Sequence, residues 1–320
     1  MIKCVAIAGP TASGKTSLSV ALAKIFGGEI VNCDSMQIYK YMNIGTAKPT
    51  ESEMSGVRHH MLDFLPPDVP FSAEAYREGA MAAISDIQKR GKIPFIVGGT
   101  GLYLDTLLRA PSPDVPKSSP EYRDRMLSLI KDDCDKEKLW QRLFEIDPKS
   151  AQIIHKNNVK RVIRALEIYD TTGFPKSHFD SLTRESKSEL SALIILLDFH
   201  RRQTLYDRID GRVDEMFDMG LKEEVEELYA KGYLREPATA AGAIGYKELI
   251  SHILGKSTLD EAKEEIKLAS RRYAKRQLTW FRHERDAVSV YLDDESGAML
   301  PREAVLSCTA EIVKNFTGDN

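Results

Sequence analysis

Val5-Ala6-Ile7-Ala8-Gly9-Pro10-Thr11-Ala12-Ser13-Gly14-Lys15-Thr16 is the stretch on which the fold turns. Residues 5–8 form a β-rich apolar run that stops at Gly9, and residues 17–26 follow with Leu18, Ala21, Leu22 and Ile25 at helical spacing. Strand, glycine loop and helix in that order match G-x-x-x-x-G-K-[ST], a phosphate-cradling loop. Its glycines let successive backbone N–H groups converge on phosphate oxygens, while the helix N-terminus points its positive end at the same anion. Gly9, Pro10, Thr11, Ala12, Ser13, Gly14, Lys15 and Thr16 are therefore expected to bind a diphosphate or a nucleotide, with Lys15 adding a full charge and Thr16 able to hold Mg²⁺.

Further apolar runs lie at residues 29–33, 93–97 and 193–197, the second of them after a helical stretch at 73–89. Short apolar strands separated by helices predict a parallel sheet covered on both faces, hence an α/β fold of the P-loop NTPase-like, nucleotide-kinase-like kind. Prolines at 111, 113, 116 and 120 and the polar stretch 180–189 read as the two necks of an insertion, and residues 122–169 between them are helical in pattern. The expected organisation is a P-loop α/β core over 1–111, a small inserted helical subdomain over 112–189, and the second part of the core with C-terminal helices over 190–320. Gly220, Gly232 and Gly255 read as helix stops.

Across 320 residues, 45 Lys and Arg stand against 48 Asp and Glu, a formal net charge of −3. That excludes a wholesale basic coat and leaves local clusters to decide whether nucleic acid is bound. Cys4, Cys33, Cys134 and Cys308 form no C-x-x-C pair, so neither a zinc module nor a disulfide framework is indicated. No apolar run approaches the length of a membrane span, and the N-terminal run is too short for a signal-peptide core, so a cytoplasmic location is expected.

Asp34-Ser35-Met36-Gln37 follows the second strand, at the carboxyl edge where open α/β sheets place their ligands. The bland alternative for Asp34 is a helix N-cap. Gly98-Gly99-Thr100-Gly101 follows the third strand; its glycines allow backbone to approach a ligand and Thr100 offers a hydroxyl, where a typical NTPase carries an aspartate. His59 and His60 are adjacent, do not converge on one metal and have no third ligand nearby, so loop packing or hydrogen bonding is expected of them. His155, Lys156, Lys160, Arg161 and Arg164 give the insertion a basic helix, with Lys160 and Arg164 on one face. Residues 271–283 interleave basic and aromatic side chains, the pattern of a surface that grips a nucleic-acid backbone and stacks on bases.

GPTASGKT (9–16), DSMQIY (34–39), IGTAKP (44–49), VGGTGLY (97–103), RALEIY (164–169), IGYKE (244–248) and RRYAKRQLTWFR (271–282), in this order, resemble the tRNA dimethylallyltransferases, or tRNA isopentenyltransferases. The resemblance runs from residue 1 to about 283; the tail over 284–320 carries no motif. It implies transfer of a dimethylallyl group from dimethylallyl diphosphate to N6 of the adenosine just 3′ of the tRNA anticodon, so that the loop cradles a leaving group. It further implies Asp34 as general base, Thr100 as the hydroxyl that positions the base or the bridging oxygen, and Lys15 with Mg²⁺ on Thr16 as carriers of the developing charge. The implied tRNA contacts are Asp34, Ser35, Met36, Gln37, Thr100, Arg123, Lys160, Arg161, Arg164, Gly245, Tyr246 and Lys247, with the insertion clamping the anticodon stem. The chain departs from the family pattern at Lys160 and Gly242, where glutamine is usual, and at Ser270, where threonine is common.

Elementary chemistry agrees with this reading. An adenine amine is a weak nucleophile because its lone pair is delocalised into the ring, so a catalyst must remove its proton and stabilise the departing anion. The target base is stacked in the anticodon loop and must be extruded to react. The competing expectations are a P-loop kinase for a nucleoside or other small metabolite and an NTP-switched RNA-binding protein. No membrane and no obligate protein partner is expected, with a monomer as the default.

Overall fold

The computed structural model describes residues 1–109, 115–116, 118–185, 188–235, 238–284 and 286–318. The prolines at 111 and 113, and the expected boundary between 111 and 112, lie outside the described residues. Two compact units emerge, Met1–Leu108 with Glu189–Asn320, and Arg109–Ser188. The first unit begins with β1 (Ile2–Ala8), α1 (Lys15–Ile25), β2 (Glu29–Asn32), α2 (Glu51–Met54), β3 (His59–His60), α3 (Ala73–Lys89), β4 (Pro94–Gly98) and α4 (Gly101–Leu108). The second unit comprises α5 (Pro120–Ser128), α6 (Asp133–Ile146), α7 (Pro148–Ile153), α8 (Val159–Thr172) and α9 (Lys176–Glu185). The chain then returns to the first unit as β5 (Leu190–Asp198), α10 (Arg202–Asp218), α11 (Leu221–Ala230), α12 (Tyr246–Ile253), α13 (Leu259–Phe281), β6 (Ala287–Tyr291) and α14 (Arg302–Thr317).

Among the described residues the strands form one parallel six-stranded sheet in the order β3-β2-β4-β1-β5-β6. Successive side chains on a strand point to opposite faces, so a sheet with helices on both sides needs apolar residues at every position. Residues 4–8, 95–97 and 194–197 of β1, β4 and β5 obey this. Val5 and Ile7 of β1 join Phe95, Val97, Ile195 and Leu197 in one buried cluster, completed by Leu18 and Leu22 of α1, Ile209 of α10 and Val313 of α14. Cys4, Ala6 and Ala8 join Ile96, Ile194 and Leu196 in the other, completed by Tyr76 and Ile84 of α3 and Leu104 of α4. Each such aliphatic or aromatic side chain contributes about 1.5–3 kcal/mol by leaving water.

Two strands were not anticipated from sequence. β3 is only two histidines long, and β6 buries only Val290 within an otherwise partly exposed edge strand, so neither shows the uniform apolar run of the central strands. β6 and α14 give the motif-free tail a structural task, since α14 seals the flank of α1 and its last turn receives Lys3 Nζ at the carbonyls of Phe316 and Thr317. A third cluster packs Ile38, Tyr39 and Met42, which follow β2, beneath Leu221, Val225, Tyr246, Leu249 and Ile266 of α11 to α13.

The second unit has its own core of Met126, Leu143, Ile154, Val162, Ile163 and Leu166. Its helices start on side-chain caps: Asp132 accepts the Asp135 N–H at 3.0 Å, and Asp147, followed by Pro148, accepts the Ser150 N–H at 3.1 Å. The polar stretch over 180–189 is not simply a neck, because α9 runs through it as far as Glu185.

Candidate active site

The sheet order sets β2, β4 and β1 side by side, with Ala8 opposite Gly98 and Asn32 opposite Val97. Their carboxyl ends therefore release three loops at one edge: Gly9 to Thr16, Asp34 to Gln37, and Gly99 to Gly101. Between them lies a cavity of about 700 Å³ walled by Lys15, Thr16, Asp34, Gln37, Arg212, Tyr273 and Gln277, among others, all in the first unit. That volume suits a small organic ligand.

The phosphate loop is built as its sequence implies. Gly14 sits at φ 78° and leads into α1, and Ala12 is held at φ 62°, a conformation that favours glycine. Arg208 of α10 anchors the loop there, donating Nε to the Ala12 carbonyl at 2.9 Å. Lys15 Nζ donates to the carbonyls of Gly9 at 3.0 Å and Pro10 at 2.7 Å, which leaves one of its three protons for a ligand. Desolvation pushes the Lys15 ammonium down to about 8, opposed by Asp34 and reinforced by Arg212. Burial likewise lowers the Arg212 pKa, with Asp34 the leading opposing charge. The Ser13 hydroxyl is buried with no hydrogen-bond partner among the described residues.

Asp34 does not cap a helix. Its Oδ1 accepts the Met36 N–H at 2.9 Å and tightens a turn in which Thr100 Oγ1 accepts the Ser35 N–H at 3.0 Å. Thr100 also lies beside Tyr273, whose phenol is raised by burial and by Asp34. Gln37 turns its amide N–H groups onto the carbonyls of Thr46 and Ala47, both at 3.0 Å. The glycines of the β4 loop serve packing within the protein. A Cβ on Gly98 would lie 2.1 Å from the Cys33 carbonyl oxygen, and one on Gly101 would lie 2.6 Å from the Trp280 ring.

The structure redistributes several residues of the sequence reading. Tyr246 is fully buried, and its hydroxyl donates to Glu224 at 2.6 Å, so its direct work is to brace a loop. Gly245 takes φ 93° and donates its N–H to Glu248 at 2.8 Å, while Lys247 is exposed. The basic and aromatic run on α13 is only partly a surface: Ala274, Gln277, Leu278 and Phe281 are buried, Arg271 pairs with Asp210, and Arg282 pairs with buried Asp198 at 2.8 Å. Tyr273 and Arg276 face the cavity. In the second unit Lys160 and Arg161 are exposed on α8, and Arg123 is exposed on α5 with a hydrogen bond to Ser118 at 2.6 Å. Arg164, expected on the same face as Lys160, instead binds Glu167 and the Pro116 carbonyl, both at 2.6 Å.

His59 and His60 hydrogen-bond as expected, to the Val57 carbonyl at 2.9 Å and Glu29 at 2.8 Å. Arg90, with Lys92 and His60, holds the buried Glu29 carboxyl far below its ordinary range. Among the described residues no cluster of three His, Cys, Asp or Glu side chains could hold a metal, and no helix is long and apolar enough to cross a membrane. Arg208, Arg212, Glu224 and Gln277 were not singled out from sequence. Two local signals were present: Gln277 lies within the 271–282 stretch, and Arg208 and Arg212 stand four apart on a helix whose buried face includes Ile209 and Val213.

The sequence profile of the IPP transferases matches residues 37–284. The chain belongs to the IPP transferase family. The tRNA dimethylallyltransferase of Thermoanaerobacter sp. (strain X514) is 46% identical over 282 residues, 88% of this chain and 89% of that protein. That of Geobacillus thermodenitrificans is 50% identical over 282 residues, 88% of each. The full-length tRNA isopentenylpyrophosphate transferase of Bacillus halodurans superposes with a TM-score of 0.73 at 38% identity, covering 99% of this chain and 97% of that one. A eukaryotic dimethylallyltransferase captured acting on tRNA gives a TM-score of 0.81 at 29% identity over 98% of this chain and 80% of its own. With the family established, the kinase and nucleotide-switch readings are set aside.

Proposed function

We propose that this IPP transferase moves a dimethylallyl group from dimethylallyl diphosphate to N6 of the adenosine just 3′ of the anticodon, position 37, in tRNA, with release of diphosphate. The observation that carries the proposal is the meeting, in one cavity, of a phosphate loop with a carboxylate: Lys15 and Asp34 share its wall. The loop amides, Lys15 and Arg212 hold the diphosphate and take up charge as the carbon–oxygen bond breaks. Asp34 takes the N6 proton as the nitrogen bonds to the allylic carbon. Thr100 keeps the Asp34–Ser35 turn in place through the Ser35 N–H.

The wall fits a Mg²⁺–diphosphate unit. The partnerless Ser13 hydroxyl and the Thr16 hydroxyl are oxygen donors on the loop, and Mg²⁺ needs only one or two protein ligands beside phosphate oxygens and water. Bound there on Thr16, Mg²⁺ would neutralise part of the diphosphate charge. The tRNA is held by Asp34 to Gln37, Thr100, Gly245 and Lys247 in the first unit and by Arg123, Lys160 and Arg161 in the second, which clamps the anticodon stem. Tyr246 and Arg164 support these surfaces from within. The enzyme acts in the cytoplasm as a monomer.

Incubation of the purified chain with Mg²⁺, unmodified tRNA and radiolabelled dimethylallyl diphosphate tests the reading. Label is expected in the tRNA at N6 of adenosine 37. Folded protein that leaves the tRNA unlabelled overturns it.

A further inference from the structure

We infer that Gln277 is a positioning residue for the transfer, tying the phosphate side of the site to the base side; the inference rests on the prenyl-transfer reading above. Its carboxamide lies buried between the two loops. Nε2 donates to the Gly99 carbonyl at 2.9 Å, and Oε1 accepts the N–H of Thr11, inside the phosphate loop, at 3.0 Å. Both bonds cross from α13 to loops that precede it by more than 170 residues, as their sequence separations of 178 and 266 show. Gly99 is a glycine because of this bridge: a Cβ there would stand 2.1 Å from Gln277 Nε2.

The neighbours on α13 reinforce the arrangement. Tyr273, one turn earlier, sets its phenol beside Thr100, and Trp280, about one turn later, lies against Gly101. One helix face thus grips three consecutive residues of the β4 loop, and Gln277 alone of the three also reaches the phosphate loop. An amide suits the post, because one end must donate and the other accept. Alkyl transfer requires the nitrogen and the allylic carbon in near-attack geometry, and a misplacement of about 1 Å costs about 10²-fold in rate. Gln277 touches neither reacting atom in this scheme; it sets the spacing between the groups that do.

Two variants test this. Gln277→Met keeps length and volume and removes both bonds. In single-turnover transfer with both substrates saturating, it is expected to fall about 10²-fold, with dimethylallyl diphosphate and tRNA affinities within about threefold of wild type. Gln277→Glu provides a second readout. Its acid form restores donor and acceptor together, whereas its carboxylate opposes the Gly99 carbonyl. The ratio of its rate to that of wild type is expected to rise as pH falls from about 8 to about 6. Lys15, Asp34, His59, Arg212, Tyr273 and Arg276 line the same cavity in both proteins, so the ratio removes their common contribution. A Met variant at wild-type rate, a rate loss matched by an equal loss of substrate affinity, or a pH-independent Glu ratio overturns the inference. If wild type itself transfers nothing, the prenyl-transfer reading falls and takes this inference with it; transfer by wild type beside any of those variant results overturns this inference alone.

Discussion

Glu224 and Tyr246 are joined by a hydrogen bond of 2.6 Å from the phenol to Oε1, and the same carboxylate accepts the N–H groups of Asn43 at 2.9 Å, Ile44 at 2.8 Å and Gly45 at 3.2 Å. One side chain of α11 thereby fixes the 44–49 loop, which in turn receives the Gln37 amide. Removing the acceptor orphans four donors, whereas removing the phenol leaves three of its bonds intact. Glu224→Ala is expected to lower unfolding free energy by about 2–4 kcal/mol and Tyr246→Phe by about 1 kcal/mol in urea titrations. A larger loss for Tyr246→Phe would contradict the assignment of Glu224 as the centre of the clamp.

Lys15 supplies a pH signature. Its ammonium is pushed from 10.5 to about 8, so below about pH 8 the folded chain carries a desolvated charge. Between about 8 and 10.5 the unfolded chain binds the extra proton, and this residue's share of stability rises with pH across that window. Diphosphate favours the charged form, so its affinity moves the other way. Calorimetric titration of dimethylallyl diphosphate is expected to show weakening above about pH 8, approaching tenfold per unit. Lys15→Arg, which stays charged, should give a flat profile over the same range.

Asp34 is the proposed base. Asp34→Asn keeps an oxygen to accept the Met36 N–H and loses the basic site. Transfer is expected to fall by about 10²–10⁴-fold with tRNA affinity within a few fold. Full activity in this variant, measured by label incorporation, would remove Asp34 from the mechanism.

In the second unit the basic helix separates into two kinds of residue. Lys160 and Arg161 are exposed, and their double replacement by alanine is expected to weaken tRNA binding and reduce the slope of log affinity against log salt by about 1 to 2. Arg164 braces buried Glu167 and the Pro116 carbonyl, so Arg164→Ala should cost about 1–3 kcal/mol of stability and leave that slope nearly unchanged. Filter binding across a salt series and thermal denaturation distinguish the two.

The strand, glycine loop and helix, the parallel sheet and the edge at which Asp34 and Thr100 stand were all legible in local patterns, because apolar period and glycine position act over a few residues. The phosphate-loop motif and the scattered stretches from GPTASGKT to RRYAKRQLTWFR carried the family as well. Short or half-exposed β3 and β6 lacked the apolar signal, and β6 went unread in the tail. Which basic residues face a ligand was also beyond reach of spacing: Arg271 and Arg282 turn to carboxylates, and Arg164 to the Pro116 carbonyl, that only folding brings near. The same holds for the supports of the site. Arg208 meets Ala12 across 196 positions, Glu224 meets Ile44 across 180, and Gln277 meets Thr11 across 266. Local pattern is enough to say that a phosphate loop opens an α/β fold and what chemistry stands beside it. What holds that loop to its neighbours comes from folding alone, since those bonds form between groups that no local periodicity relates.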